Sequence, residues 1–268
     1  MKPLRRLMLC ADDYGLAPAI DDALVELLGR ARLSRISCIV NLPRWPAAAR
    51  ALARAARARA GLHLNLTEGR PLSGELAAVW PALPTLQRLI VDAHLGRLPL
   101  AALRAEMQAQ FAVCEQALGQ MPMHLDGHQH VHHLPHIRDL VLEIAASRKG
   151  LRVRHTGRVR GPGYVVKRLL IEGTGGTVLG RRLDAQGIAA NGTLHGVYDF
   201  VETDYRRLMR GWLAALPERG ALLFCHPGRN GAGGAAGDEI AAARTRELDY
   251  LGGAAFGDDL AEAGVLLD

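Results

Sequence analysis

Apolar residues recur along the chain with two periods that alternate. Residues 4–10 form a short apolar stretch that runs into Ala-Asp-Asp-Tyr-Gly, the pattern of a buried strand ending in a polar loop. In residues 18–30, Ile20, Leu24, Leu27 and Leu28 share one helical face, and the β-rich stretch 36–40 predicts a second strand. The unit then repeats. An Ala/Arg helix over residues 45–59 leads to a strand at 62–66, and a longer helix carrying Leu100, Leu103, Met107, Phe111 and Leu118 leads to a strand at 123–126. After a His-rich turn, a helix with Ile137, Leu140, Val141 and Ile144 precedes a strand at 151–154.

Strands that alternate with helices pair in parallel, either as an open doubly wound sheet or as a barrel. Both place a functional site at the carboxyl ends of the strands. The polar motifs fall there: Asp12 and Asp13 after the first strand, His63 within the third, His128 at the end of the fourth and His226 after residues 221–225. Residues 157–191 and 228–237, rich in Gly, read as loops. With no linker or internal repeat, residues 1–268 are expected to form one domain.

Composition narrows the classes. At 268 residues, 49% hydrophobic and 22% charged, the chain can bury a large core and is not disordered as a whole. The net charge of +6 comes from 30 Arg and only 3 Lys, spread along the sequence, and aromatic residues make up 4%. That leaves few stacking platforms, so no nucleic-acid partner is expected. Cys10, Cys38, Cys114 and Cys225 are far apart in apolar surroundings and read as buried free thiols of a reducing compartment. The first apolar stretch meets Asp12 before it reaches signal-peptide length, and no apolar run approaches the roughly 20 residues that span a bilayer. A cytoplasmic protein is expected, with peripheral membrane contact left open and a homodimer as the default assembly.

The strongest chemical signal is His124-Leu-Asp-Gly-His128-Gln-His130-Val-His132-His133, since six of the 11 histidines lie in residues 124–136. If the segment is extended, His124, Asp126, His128 and His130 share a face, and imidazoles with a carboxylate are how a divalent cation is held. A solvated His-rich loop is the alternative. In Gly61-Leu-His63-Leu-Asn65-Leu-Thr67 the leucines alternate with polar residues, which turns His63 toward a polar cavity or solvent. Asp12 and Asp13 are either loop acids or, beside a cation, one ligand and one general base. One of Arg152 and Arg154 should face the site and pair with the free carboxylate. His226, delivered to a Pro-Gly turn, reads as a general acid or as a structural turn residue.

Taken in order, Ala11-Asp-Asp-Tyr-Gly-Leu, Gly61-Leu-His-Leu-Asn-Leu-Thr-Glu-Gly, His124-Leu-Asp-Gly-His-Gln-His-Val-His and Cys225-His-Pro-Gly resemble the YdjC-like carbohydrate deacetylase family. The resemblance implies an α/β fold, a distorted (β/α) TIM-like barrel related to polysaccharide deacetylases. It also implies one divalent metal ion, Mg²⁺ or Zn²⁺, held by Asp13, His63 and His128. Asp12 would be the catalytic base, His226 the acid, and Arg154 a further catalytic group. Tyr14, Asn65 and His130 are expected to line the substrate, with His130 as a reserve ligand. The implied partner is an N-acetylated sugar, free or carried by a glycolipid, from which an acetyl group is hydrolysed. A metal-dependent phosphoesterase and a non-catalytic sugar- or lipid-binding protein are the alternatives carried forward.

Overall fold

The chain forms eight strands, of which β6 and β8 fall outside the stretches expected from sequence: β1 (Arg5–Tyr14), β2 (Arg35–Cys38), β3 (Ala60–Leu64), β4 (His124–Gly127), β5 (Arg152–Val153), β6 (Thr193–His195), β7 (Ala221–Cys225) and β8 (Val265–Leu267). They are seen in a computed structural model that describes residues 4–235 and 237–268. Every strand pairing is parallel, in the order β5-β4-β3-β2-β1-β7-β6, with β8 added beside Arg5–Leu7 of β1. The outer strands curl toward each other until single parallel bridges join Val153 to Ala190 and Val159 to Leu194. That seam is two contacts rather than a ladder, so the barrel is distorted, as the resemblance implies.

Strand alternation divides the buried residues into two populations. Leu7, Leu9 and Ala11 of β1, Leu62 and Leu64 of β3, and Leu223 of β7 join the large core between the sheet and its helices. Met8, Cys10, Leu222, Phe224 and Leu194 point inward and fill one half of the barrel with a separate apolar cluster. The other half of the interior is polar: Ser37, His63, His124, Asp126 and Arg154 are all buried there and hydrogen-bonded to one another.

Three expectations need correction. The helix expected over 45–59 is two, Trp45–Ala51 and Arg54–Arg57, because Leu52 and Ala53 turn extended as Leu52 packs into the core. Within 157–191, read as a loop, lie helices Val165–Ile171 and Thr177–Gln186, joined by a wide turn at Glu172–Gly176. Five of its glycines, Gly157, Gly161, Gly175, Gly176 and Gly180, allow close packing. A Cβ on Gly175, which has φ +153°, would sit 2.0 Å from the His133 carbonyl oxygen, and one on Gly180 would strike the His155 ring. Lastly, the His-rich segment is extended only as far as Gly127; His128–His133 is a 3₁₀ turn in which Gln129 and His130 have positive φ. The four cysteines are free and buried. Among the described residues, no helix is long and apolar enough to cross a membrane.

Candidate metal centre

The adjacent carboxylates reach one site through a break in strand geometry. In β1, Met8 and Cys10 point into the barrel and Asp12 follows them; regular alternation would send Asp13 outward. Instead, Asp13 takes φ +71° and the register with β2 slips between Ala11 and Tyr14. Such a bulge re-aims a side chain at the cost of local strain, and Asp tolerates the left-handed region better than most residues. The next bend is fixed by Gly15, whose N–H donates to Asp21 at 2.6 Å while Arg44 holds the other Asp21 oxygen at 2.7 Å.

Each aspartate then meets a different set of partners. Asp12 receives two hydrogen bonds from Arg154, both 2.7 Å, and Arg154 also lies 2.5 Å from Asp126. Arg154 is therefore the inward arginine; Arg152 reaches the Ala190 carbonyl instead. Asp13 lies beside the imidazoles, with its Oδ1 3.0 Å from His128 Nδ1 and 3.6 Å from His63 Nε2, while Arg244 donates to its Oδ2 at 2.7 Å. Burial opposes the Asp13 charge, but Arg244 and His128 hold its carboxyl well below the usual carboxylate range.

The three residues fit a divalent cation. One ligand atom from each of Asp13, His63 and His128 lies within 4.8 Å of the others, and all three residues are buried. The second polar atom of each is already engaged: His63 Nδ1 by Asp126 at 2.6 Å, His128 Nε2 by Glu68 at 3.0 Å, and Asp13 Oδ2 by Arg244. One free donor per residue therefore converges, and each imidazole is oriented by a carboxylate behind it, the usual support of a metal-ligating histidine. Burial alone would depress both imidazoles, yet Asp126 and Asp12 raise His63 to about 10 and Asp13 raises His128 to about 9. A proton and a metal ion compete for this negative field.

Two neighbouring clusters suit a cation less well. Asp12, His63 and Asp126 also offer converging atoms, but the Arg154 guanidinium already bridges the two carboxylates there. In the cluster of Cys10, His124 and Asp126, burial pushes the thiol up to about 12 and His124 down to about 4, so both are neutral. They serve as hydrogen-bonding groups around Ser37, at 3.3 Å and 2.8 Å.

The remaining expected residues are placed as follows. His226 directly follows β7 with its ring edge-on to Phe200 and Phe224, and its backbone N–H donates to Glu247 at 2.5 Å. Burial lowers its imidazole to about 4, so the ring is neutral at neutral pH rather than a standing proton donor. Tyr14 does not face the site: it is fully buried, and its hydroxyl donates to the Ala48 carbonyl at 2.8 Å. Asn65 is also fully buried and holds its own loop, accepting from the N–H groups of Thr67 and Glu68. His130 is carried off the His128 face by its positive φ and packs on Phe224 with ring centroids 5.2 Å apart; it belongs to none of the three clusters.

Three residues with a part in the site were not assigned one from sequence: Glu68, Arg244 and Glu247. Asp126, expected on one face with His124 and His128, is paired with His63 by the β3–β4 register and supports that imidazole from behind. The model of the YdjC-like protein family matches residues 6–262. The chain belongs to that family. It is 34% identical over 168 residues to a human carbohydrate deacetylase, a match covering 60% of this chain and 51% of that protein. It is 31% identical over 148 residues to a Yersinia enterocolitica chitooligosaccharide deacetylase, covering 55% and 58% respectively. The chain thus spans about half the length of the curated relatives it matches. An Enterococcus faecalis V583 crystal structure, provisionally described as a cellobiose-phosphate cleavage protein, superposes with a TM-score of 0.74 over 99% of this chain and 97% of that one. At 19% identity, that likeness concerns the fold alone.

Proposed function

We propose that this chain is a metal-dependent carbohydrate N-deacetylase, hydrolysing an acetamide on an N-acetylated sugar to an amine and acetate. The observation that carries the reading is the division of labour between two adjacent carboxylates: Asp13 faces two imidazoles, while Asp12 is held by Arg154 outside that triad. The names of the two deacetylase relatives point to the same reaction. Arg154 occupies the place between Asp12 and Asp126 where a second, carboxylate-bridged cation would sit, which weighs against a two-metal phosphoesterase.

A divalent ion held by Asp13, His63 and His128 supplies Lewis acidity toward the amide carbonyl and a more acidic water. Two nitrogens and one carboxylate oxygen, whose companion oxygen is taken by Arg244, favour Zn²⁺ over Mg²⁺. Asp12 accepts the proton of the attacking water, and Arg154 keeps its two oxygens aligned by two parallel hydrogen bonds. His226 is the group this reading assigns to protonating the departing nitrogen. Because it is neutral beforehand, the proton it passes on must be acquired during the reaction, and Asp12 is the nearby group that gains one.

The test is acetate release from a panel of N-acetylated mono- and oligosaccharides and glycolipids, using chelated protein with Zn²⁺ or Mg²⁺ restored. Metal-dependent acetate release supports the reading. No acetate from any member with either ion, or equal release by the chelated protein, overturns it.

A further inference from the structure

The loop after β3 contains more buried polar structure than a surface connection requires. Asn65 and Gln110 are fully buried, as is Glu106, and none of the three reaches the metal triad. Asn65 Oδ1 accepts from the N–H of Thr67 at 3.1 Å and of Glu68 at 3.0 Å, while its Nδ2 donates to the Glu68 carbonyl at 2.9 Å. Gln110 clasps the Asn65 backbone from both sides: its side-chain oxygen accepts the N–H at 3.1 Å and its Nε2 donates to the carbonyl at 2.7 Å. Gln110 is itself held by Glu106, whose other oxygen accepts the N–H groups of Leu72 and Ser73 at 2.8 Å. Buried polar networks of this kind are worth their desolvation only when fully satisfied, and they then hold one backbone geometry. The side chain delivered by that geometry is Glu68, 3.0 Å from His128 Nε2.

We infer that Glu68 is a positioning residue for the metal centre: the Glu106–Gln110–Asn65 clamp presents its carboxylate to His128 Nε2–H, so that His128 offers Nδ1 as the ligand atom. The inference rests on the proposed metal site. It makes the two imidazoles unlike, with His63 ligating through Nε2 because Asp126 takes its Nδ1, and His128 through Nδ1 because Glu68 takes its Nε2. Glu68 lies at the mouth with its side chain 41% exposed, so it can be replaced without opening a hole in the core.

The test uses the full chain and Zn²⁺ or Co²⁺ alone. Competition with a chelator should show Glu68→Ala binding Zn²⁺ roughly 10–100-fold more weakly, as removal of an outer partner of a ligating histidine does elsewhere. Glu68→Gln, which keeps an acceptor oxygen, should recover most of that affinity. The Co²⁺ absorption bands should shift in Glu68→Ala and return in Glu68→Gln, and metal-free Glu68→Ala should melt close to the parent. Unchanged Zn²⁺ affinity and Co²⁺ spectrum in Glu68→Ala would overturn the positioning role and leave the metal site standing. A parent protein that binds neither ion would overturn the metal reading and this inference with it.

Discussion

The two halves of the barrel mouth treat a buried carboxyl group in opposite ways. On the half formed by β1 to β5, Asp13 and Asp126 are fully buried, and burial opposes their charge. Arg244 on the first and Arg154 on the second nevertheless hold both well below the usual carboxylate range. On the other half, beside β7, Glu247 is equally buried, but its direct partners are the Tyr198 hydroxyl and the His226 N–H, both at 2.5 Å. Without a guanidinium in contact, burial dominates and pushes Glu247 up to about 7. Depth alone therefore does not decide which side carries charge; the placement of two arginines does. The charged half faces the metal triad, and the neutral half carries His226 between aromatic rings.

The sharpest way to break this contrast is within the charged half. Asp12→Asn should bind Zn²⁺ as the parent does and lose turnover by roughly 10²–10⁴-fold, the range for removing a general base. Parental turnover would show that Asp12 is a structural partner of Arg154 and nothing more. A smaller effect separates the halves by stability. Arg154→Met leaves Asp12 and Asp126 without their shared cation and should destabilise the chain by about 3–5 kcal/mol in urea unfolding. Leu222→Ala, in the apolar half, should cost about 2–5 kcal/mol while leaving Zn²⁺ affinity unchanged. If Arg154→Met were neutral, the charge-pairing account of that half would fail.

Much of this arrangement was legible in the sequence, for physical reasons that differ by element. The strand–helix alternation survived because each strand buries at least one Leu, Ile or Val and the longer β1, β3 and β7 bury several, and the site could be located because parallel strands end on one side. Asp13, His63 and His128 do converge, yet the route of Asp13 was hidden: nothing in Ala-Asp-Asp-Tyr announces a bulge with φ +71°. His130 was misplaced for a related reason. Alternation was extended past Gly127, where the chain instead tightens into a 3₁₀ turn. Tyr14 was misread because the same bulge resets the alternation, so that its ring packs outward. Glu68, Arg244 and Glu247 left no readable signal, since each acts through a contact with a residue at least 21 positions away.

The smallest expected effect probes the neutral half through pH. A carboxyl group whose folded-state pKa of about 7 exceeds the ordinary 4.5 keeps its proton after the unfolded chain has released its own. Its contribution therefore favours the folded state fully below about pH 4.5, declines as pH rises toward 7 and then levels off. Glu247→Gln keeps an oxygen for the His226 N–H and an amide for the Tyr198 oxygen, and it has no proton to lose. Between pH 5 and 7.5 the metal-free variant should consequently lose less stability than the parent, by on the order of 1–3 kcal/mol, which for a chain of this size is several degrees in Tm. Parallel Tm-against-pH curves for parent and variant would mean that Glu247 is as well paired with charge as Asp13 and Asp126, and the difference between the two halves would disappear.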